Sequence, residues 1–399
     1  MKWKTIRADE FCESVRDGTH DTPKQTETGY KLLTSKHIKN GQITPVDAYY
    51  ISEEDYKKIN ARSLVEQWDV IMSMIGTVGE AAVVRNQPNY AIKNVALFKC
   101  AGSELKGKWL AYYLSSPDAQ GHMSGNQKGS SQQFLSLKQL RSLQIPITDE
   151  SYMLKVVDIL SAYDDLIENN QKQIKLLEEA AQRLYKEWFV DLHFPGYENT
   201  KITDGVPKGW GKYKFSDITS IMSGGTPKTD VKEFYNGNIP FYTPKDSDDS
   251  FFAFDTITHI SQSGLDNCNS QLYPVNTVII TARGTVGKTT ILAVPMAMNQ
   301  SCYALKCDEL NSPYYLFFSL KNEVAALKKM ANGGVFNTII VKTFDSIYLI
   351  VPTQDVLNMF EVLVSPIMEQ IKAKARQNIM LAEARDRLLP KLMSGEIEL

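Results

Sequence analysis

One segment of the sequence carries residues that could bind a nucleotide phosphate. Residues 284–289 read Gly-Thr-Val-Gly-Lys-Thr and follow an apolar, partly β-branched run. A phosphate-binding P-loop has the pattern Gly-x-x-x-x-Gly-Lys-Ser/Thr, so its first glycine would fall at position 282, which is Ala282. The loop is therefore too short to surround a triphosphate, and the sequence argues against an NTPase.

The same Gly-Thr-Val-Gly occurs at residues 76–79, with Glu80 in the place of Lys288. Both copies follow apolar runs, so each predicts a strand that ends in a tight turn. Two interpretations stay open: a turn without a ligand, or a turn whose backbone NH groups and Lys288 contact a phosphate or base edge of DNA. Arg283 precedes the second copy, whereas Ile75 precedes the first. A phosphate or base contact from an arginine is therefore expected at the second turn and is in doubt at the first.

Two polar, glycine-containing segments are further candidates, at residues 125–133 and 331–338. Asn and Gln can bind adenine bidentately, and Lys can contact guanine or phosphate. The alternative is a pair of solvated surface loops. The candidate DNA contacts are Thr19, Lys24, Thr34, Lys36, Ser73, Gly76, Thr77, Gln127, Lys128, Ser130 and Gln132 in the first half, and Thr226, Lys228, Thr243, Lys245, Arg283, Gly284, Thr285, Lys288, Asn332, Gly333 and Asn337 in the second.

Other chemistry is weakly represented. Residues 311–314 (Asn-Ser-Pro-Tyr) are close to an amino-methyltransferase loop, but a helix start with Ser312 as N-cap and Pro313 in the first turn explains them. The five histidines and five cysteines show no metal-ligand spacing, so neither a catalytic metal nor a zinc site is expected. No apolar run approaches the length that a membrane-spanning helix needs. We expect a reduced, cytoplasmic protein.

The turns belong to a duplicated architecture. Four blocks of the first half return in the second, in the same order and 204–209 residues later. One of the less similar pairs sets residues 16–20 (Arg-Asp-Gly-Thr-His) against residues 223–227 (Ser-Gly-Gly-Thr-Pro). Each half predicts short strands plus a helix, near 108–114 and 313–327. The fold class is therefore α+β, with two β-rich domains and an internal pseudo-twofold.

A long helix follows each β-rich segment. Apolar residues recur at alternating spacings of four and three from Val156 to Trp188, which predicts a coiled-coil seam with Asn170 as a polar, register-setting position. The second helix repeats the seam less regularly, and Pro390 is expected to end it near Leu389. We expect the two helices to pair antiparallel. The predicted seam and subunit-interface residues are Leu160, Ile167, Asn170, Ile174, Leu177, Leu184, Trp188, Ile367, Ile371, Leu381 and Leu388.

Charge is distributed unevenly. Residues 1–148 hold 19 Lys and Arg against 15 Asp and Glu, whereas residues 149–200 hold 5 against 11. The acidic excess therefore lies in the first long helix, which leaves the β-rich segments free to bind DNA without requiring it.

Together these features resemble the specificity subunit of type I restriction-modification systems, over the whole chain. The segments that carry the resemblance are Trp-Phe-Val-Asp at 188–191, Phe-Pro-Gly at 194–196, Val-Pro-Lys-Gly-Trp at 206–210, Ser-Gly-Gly-Thr-Pro at 223–227, Arg-Gly-Thr-Val-Gly at 283–287 and the C-terminal segment 387–397. The resemblance implies target-recognition domains at 1–148 and 211–352, long helices at 149–194 and 353–399, and a linker at 195–210.

The resemblance also implies a function without catalysis. Each recognition domain would read one half of a bipartite, asymmetric site in double-stranded DNA. The paired helices would set the spacing and dock two modification subunits that methylate adenine N6. Two restriction subunits would join them. No cofactor is expected on this chain; S-adenosylmethionine, ATP and Mg²⁺ are expected on the partners. The alternative within the family is a methylation-only complex.

Two other classes of protein compete with this interpretation. A self-sufficient nuclease or methyltransferase would need a cofactor loop or metal cluster, which the sequence does not indicate. A coiled-coil scaffold with protein-binding ends would lack DNA affinity that falls steeply with salt.

Overall fold

Each half of the chain folds around its own, mostly antiparallel sheet. The computed structural model describes residues 3–125, 134–307, 310, 312–330 and 338–399. Its contacts divide the chain into unit 1 (Met1–Leu166 with Leu381–Leu399) and unit 2 (Ile167–Met380). Each unit contains one β-rich region and part of both long helices. The domain boundaries predicted from the sequence separate the β-rich regions from the long helices, whereas each unit combines the two. The boundaries therefore stay predictions.

Unit 1 is built from eleven short strands, five short α-helices and one 3-10 helix (Ser35–His37) in its described residues. The strands are β1 (Lys4–Arg7), β2 (Ser14–Asp17), β3 (Tyr30–Leu33), β4 (Ile38–Lys39), β5 (Gln42–Ile43), β6 (Tyr50–Ile51), β7 (Val70–Ser73), β8 (Ala81–Val83), β9 (Tyr90–Ile92), β10 (Val95–Lys99) and β11 (Gln144–Ile147). The helices are α1 (Ala8–Phe11), α2 (Glu53–Ser63), α3 (Glu104–Ser115), α4 (Pro117–Gly125) and α5 (Leu137–Arg141). The first long helix, α6 (Glu150–Tyr185), follows and continues as a π-helical turn (Lys186–Val190).

Unit 2 repeats this order along the chain. Its strands are β12 (Ile202–Thr203), β13 (Val206–Pro207), β14 (Gly211–Lys214), β15 (Ser220–Ser223), β16 (Ile239–Tyr242), β17 (Phe252–Ala253), β18 (His259–Ile260), β19 (Val278–Thr281), β20 (Thr289–Leu292), β21 (Ala297–Met298), β22 (Cys302–Lys306) and β23 (Tyr348–Val351). Its helices are α7 (Phe215–Ile218), α8 (Gln262–Asp266), α9 (Pro313–Met330) and α10 (Val341–Phe344), followed by the second long helix, α11 (Gln354–Ser394).

Sheet topology confirms the duplication. The main sheet has the order β2-β10-β7-β8 in unit 1 and β15-β22-β19-β20-β17 in unit 2. A three-stranded sheet, β6-β3-β9 or β18-β16-β21, accompanies each, and both contain one parallel pair. The α+β class predicted from the sequence is therefore confirmed.

The central strands explain why the turns were preceded by continuous apolar runs. All four residues of β7 and all four of β19 are buried. A strand covered on both faces has no alternation of polar and apolar residues. Helix α3 packs on β8 and α9 packs on β20. Ser312 caps α9 by accepting a hydrogen bond from the Tyr315 amide at 3.2 Å, as predicted, whereas α3 begins earlier than predicted because Ser103 caps it.

The long helices pair antiparallel within each unit. In unit 1, Tyr152 of α6 donates a hydrogen bond to the carbonyl oxygen of Leu392 at 3.1 Å, and Asp164 forms an ion pair with Arg385 at 2.7 Å. In unit 2, Asn170 donates to Gln377 Oε1 at 3.0 Å, and the rings of Trp188 and Phe360 lie 6.1 Å apart. Higher residue numbers on α6 meet lower numbers on α11 in both units, so the predicted antiparallel coiled coil is confirmed.

The predicted end of the second long helix is wrong. Pro390 was expected to end its regular part near Leu389, but α11 continues to Ser394. Proline removes one helical hydrogen bond. Packing compensates for that loss, because Leu389, Leu392 and Met393 are all buried in the core of unit 1.

Among the described residues, no helix is both long and apolar enough to cross a membrane.

Candidate nucleic-acid interface

A buried hydroxyl braces the Gly-Thr-Val-Gly turn in each unit. In unit 2, Thr281 Oγ1 donates to the carbonyl oxygen of Thr285 and accepts from the Lys288 amide at 3.0 Å. In unit 1, Ser73 Oγ donates to the carbonyl oxygen of Thr77 and accepts from the Glu80 amide at 3.0 Å. Both hydroxyls come from residues with no exposed surface. The two turns are therefore the same structure, and Ser73 positions its turn from within.

The glycines of the turns have a conformational reason. Gly76 and Gly79 have φ of 82° and 98°, and Gly284 and Gly287 both have 77°. Side chains rarely adopt this left-handed region.

The outer surface of the second turn carries exposed polar groups. Arg283, Gly284 and Thr285 are all exposed. The Thr285 hydroxyl lies 2.7 Å from Ser247 Oγ, and Lys288 forms an ion pair with the exposed Asp249. Within the described residues, no side-chain hydrogen bond or ion pair is formed by Arg283. Its guanidinium can therefore meet a ligand without breaking an internal bond.

The first turn presents a different surface. Ile75, at the position of Arg283, is half-buried and bridges to Phe134. Gly76 and Thr77 are exposed. Glu80, at the position of Lys288, accepts a hydrogen bond from the Asn40 amide at 2.9 Å. The first turn thus has no cation at either place where the second turn has one.

Two half-buried charged groups of unit 2, Lys321 of α9 and Glu178 of α6, influence each other's pKa. Lys321 of α9 sits with its amine 4.4 Å from the ring centroid of Phe251. Burial lowers the pKa of Lys321, against the opposing effect of Glu178 and Asp249. Burial also raises the pKa of Glu178, chiefly against the influence of Lys321.

The Thr-x-Lys segments before the turns are capped by their own chain. Thr243 Oγ1 donates to Asp246 Oδ2 at 2.7 Å. At the matching place in unit 1, the Thr34 amide donates to His37 Nδ1 at 2.8 Å. Burial lowers the pKa of His37, so a neutral ring with an accepting Nδ1 suits this bond.

The lysines of these segments are exposed. Lys36 pairs with Asp47 at 3.0 Å, whereas Lys245 has no ion-pair partner among the described residues. Lys24 and Lys228, which follow the ends of β2 and β15, are exposed too.

A glycine approaches a neighbouring backbone at the end of β2 and of β15. A Cβ on Gly18 would lie 2.3 Å from the Ile92 oxygen, and one on Gly224 would lie 2.3 Å from the Met298 oxygen. The next amide, of Thr19 or Gly225, donates to the same oxygen at 3.0 or 3.1 Å. The structural register of these segments is therefore one residue different from the sequence match.

This register identifies a residue that the sequence comparison missed. The structural counterpart of Thr226 is His20, and not Thr19. His20 Nδ1 lies 2.7 Å from Asn94 Oδ1, and Thr226 Oγ1 donates to Gln300 Oε1 in the same place. Both His20 and Thr226 are exposed, whereas Thr19 is half-buried.

Seven of the sequence candidates cannot be placed. They lie outside the described residues: Gln127, Lys128, Ser130, Gln132, Asn332, Gly333 and Asn337. The described chain resumes beside the turn in each unit, because the Leu135 amide donates to Met74 O at 3.2 Å and the Ile339 amide donates to Ala282 O at 2.9 Å. The proposed DNA contacts of the seven candidates stay predictions.

A cleft of about 500 Å³ in unit 1 was not indicated by the sequence. It is lined by Arg16, Arg62 and Arg141, together with Asp17, Ala61 and Leu137. The three arginines belong to β2, α2 and α5, so no local motif could have revealed the cluster. Among the described residues, no group of three or more His, Cys, Asp or Glu is arranged to hold a metal ion.

Comparison with known proteins supports the family that the sequence resembles. The family model for the type I restriction modification DNA specificity domain matches residues 1–179 and 207–374. The chain belongs to this family of specificity subunits. The two matched regions each contain one braced turn, so the duplicated architecture is that of two specificity domains in one subunit.

Individual relatives agree. The type I restriction enzyme HindI specificity subunit of Haemophilus influenzae is 26% identical over 325 residues, covering 66% of this chain and 71% of the relative. The MjaIX specificity subunit of Methanocaldococcus jannaschii is 27% identical over 361 residues, covering 87% and 81%. The crystal structure of a type I restriction-modification S subunit from M. genitalium has a TM-score of 0.58 at 15% identity, over 98% of this chain and 96% of that one, which shows a likeness of fold.

Proposed function

We propose that this specificity subunit reads a bipartite, asymmetric DNA site, one half with each β-rich domain, and performs no chemistry itself. The observation that supports this proposal is the identically braced turn whose outer residues differ between the copies. Ile75 and Glu80 in unit 1 correspond to Arg283 and Lys288 in unit 2. A shared scaffold with different outer side chains suits two readers of different sequences, since base-edge contacts specify and phosphate contacts position.

The proposal extends to the partners. The paired helices would set the distance between half-sites and dock two adenine-N6 methyltransferase subunits that carry S-adenosylmethionine. ATP and Mg²⁺ would belong to restriction subunits. In support, α11 exposes an apolar stripe with helical spacing: Met359, Val362 and Leu363 are 40%, 72% and 48% exposed. Such a stripe on a charged helix is typical of a protein-docking surface.

Methylome sequencing of cells that express this subunit with its modification subunit tests the proposal. The expected result is N6-methyladenine in a split motif with a fixed gap. Methyl transfer by the purified chain alone, or methylation without a split motif, would contradict it. ATP-dependent cleavage of unmethylated DNA after addition of the restriction subunit distinguishes a restriction system from a methylation-only complex.

Arg283→Ala addresses the assignment of half-sites. Loss of a bidentate base contact costs about 1–3 kcal/mol at that base pair. We expect discrimination to weaken in one half of the motif and to stay unchanged in the other. Equal loss in both halves would indicate a folding defect.

A matched deletion addresses the spacing. Asn170 faces Asn378 and Trp188 faces Phe360, so residues 171–177 lie opposite residues 371–377. Removing both segments preserves the heptad register and shortens the pair by about 10 Å, since an α-helix rises about 1.5 Å per residue. At about 3.4 Å per base pair, the gap in the methylated motif should shrink by about 3 bp. An unchanged gap would refute a spacing role.

A further inference from the structure

The cleft lined by Arg16, Arg62 and Arg141 is a basic surface of unit 1 that lies beside the first turn. Its walls include Asp17 and Leu137, and both residues also line an adjoining cleft of about 240 Å³ that reaches Ile75 and Phe134. The cleft therefore lies next to the position at which the first turn lacks an arginine.

Hydrogen bonds and one ion pair within unit 1 hold the three arginines in place. Arg16 Nη1 donates to the Arg62 carbonyl oxygen at 3.1 Å, and Arg141 Nε donates to the Val15 carbonyl oxygen at 3.1 Å. Arg62 Nη2 forms an ion pair with Asp17 Oδ1. These bonds use one or two N–H groups of each guanidinium, which has five, so donors remain for a ligand.

The charge balance of the lining favours an anion. Three guanidinium groups line the cleft with one carboxylate, Asp17, which is 7% exposed. Both Asp17 oxygens are occupied, one by Arg62 and the other by His20 Nε2 at 3.0 Å. The carboxylate fixes Arg62, and the other two guanidinium groups form no ion pair with a described residue. Arg62 and Arg141 are exposed to solvent.

Among the described residues of unit 2, two of these three arginine positions carry no cation. In the strand and turn register, Met222 takes the place of Arg16, and Asp345 takes the place of Arg141. Unit 2 instead carries Arg283 on its turn. The two units thus place their cations at different points around one scaffold.

We propose that Arg16, Arg62 and Arg141 form a binding site for DNA backbone phosphate, through which the first domain is held on its half-site. This inference rests on the proposed function and names cations of unit 1 that lie beside the turn without an arginine. Guanidinium groups match phosphate oxygens in bidentate geometry, and a pre-positioned cluster gives both affinity and orientation.

The test uses the assembled complex of specificity and modification subunits and a duplex that carries the methylated motif. The affinity of wild type and of Arg62→Gln/Arg141→Gln is measured across a salt series. Each lost phosphate contact lowers the slope of log affinity against log salt by about 1. We expect the double variant to lose about 1–2 units of slope, with sequence preference in the second half-site unchanged.

Two controls make the outcome decisive. Arg387→Gln removes an exposed arginine of unit 1 outside the cleft and should leave the slope unchanged. Arg62→Lys/Arg141→Lys keeps the charge and should retain most of the slope, which a mere folding defect would not allow. A wild-type slope in the glutamine variant refutes the arginine site. Absence of salt-dependent DNA binding by the wild-type complex refutes the proposed function itself.

Discussion

Replacing Thr281 with valine removes the brace of the second turn without changing the volume of the side chain. Thr281 has no exposed surface, and its hydroxyl makes one hydrogen bond to the Thr285 carbonyl oxygen and one from the Lys288 amide. Because valine is nearly isosteric, no cavity forms, and the change isolates the two hydrogen bonds.

The expected cost follows from those bonds. A hydrogen bond contributes about 0.5–1.5 kcal/mol net, and an unsatisfied buried group costs about 1–3 kcal/mol. Lys288 is only half-buried, so water can reach part of the vacated turn. We therefore expect the free energy of unfolding to fall by about 1–2 kcal/mol, near the lower end of the cost of an unsatisfied buried group. The loosened turn should also lower discrimination in the second half-site by about tenfold, equivalent to about 1.4 kcal/mol.

The measurement combines urea unfolding of the purified subunit with methylation rates on duplexes altered in one half-site at a time. Ser73→Ala is the matched variant, because Ser73 braces the first turn in the same way. It should affect the other half-site. Thr281→Ser keeps the hydroxyl and should behave as wild type in discrimination. If Thr281→Ser fails as badly as Thr281→Val, or if Thr281→Val relaxes both half-sites equally, the bracing argument is wrong.

Two further predictions concern stability. Asn170→Ala removes the hydrogen bonds to Gln377 and Asn378, at 3.0 and 2.9 Å. It should lower the free energy of unfolding, measured with urea, by about 1–3 kcal/mol. Asn169→Ala, at the exposed neighbouring position, should have little effect, and equal losses in the two variants would show that Asn170 has no special role in the seam. Burial raises the pKa of Tyr273 to about 12, so its stabilisation is complete below about pH 10 and is lost as pH rises through 12. Between pH 8 and 11 the wild type should lose about 1 kcal/mol more than Tyr273→Phe, and parallel urea midpoints of the two proteins across this range would contradict that assignment.

The long helices and their pairing could be predicted from the sequence because their signal is local. A heptad pattern requires only residues three and four apart, and every seam position from Val156 to Trp188 is buried or half-buried. Pro390 misled the prediction, since a propensity for ending a helix is weaker than burial of the residues around it. Packing in unit 1 depends on contacts between distant parts of the chain, such as that between Tyr152 and Leu392, and sequence periodicity does not report them.

The turns, too, have some features that the sequence predicts and others that only the structure shows. Their glycines and preceding apolar strands were visible in the sequence, because a left-handed conformation and a doubly covered strand each select residue types directly. The hydroxyl that braces each turn and the structural counterpart of Thr226 in unit 1, His20, were not visible in the sequence. Both depend on strand register, and a shift of one residue changes which side chains share a face.

The sequence by itself determined that the chain is duplicated, that each copy holds a tight turn after a buried strand, and that each copy is followed by a seam-bearing helix. Only the tertiary structure decided where the charges of each copy gather. Arg16, Arg62 and Arg141 come together because β2, α2 and α5 meet around one cleft. Their separation along the chain carries no signal, since electrostatic attraction for a phosphate depends on distance in space alone.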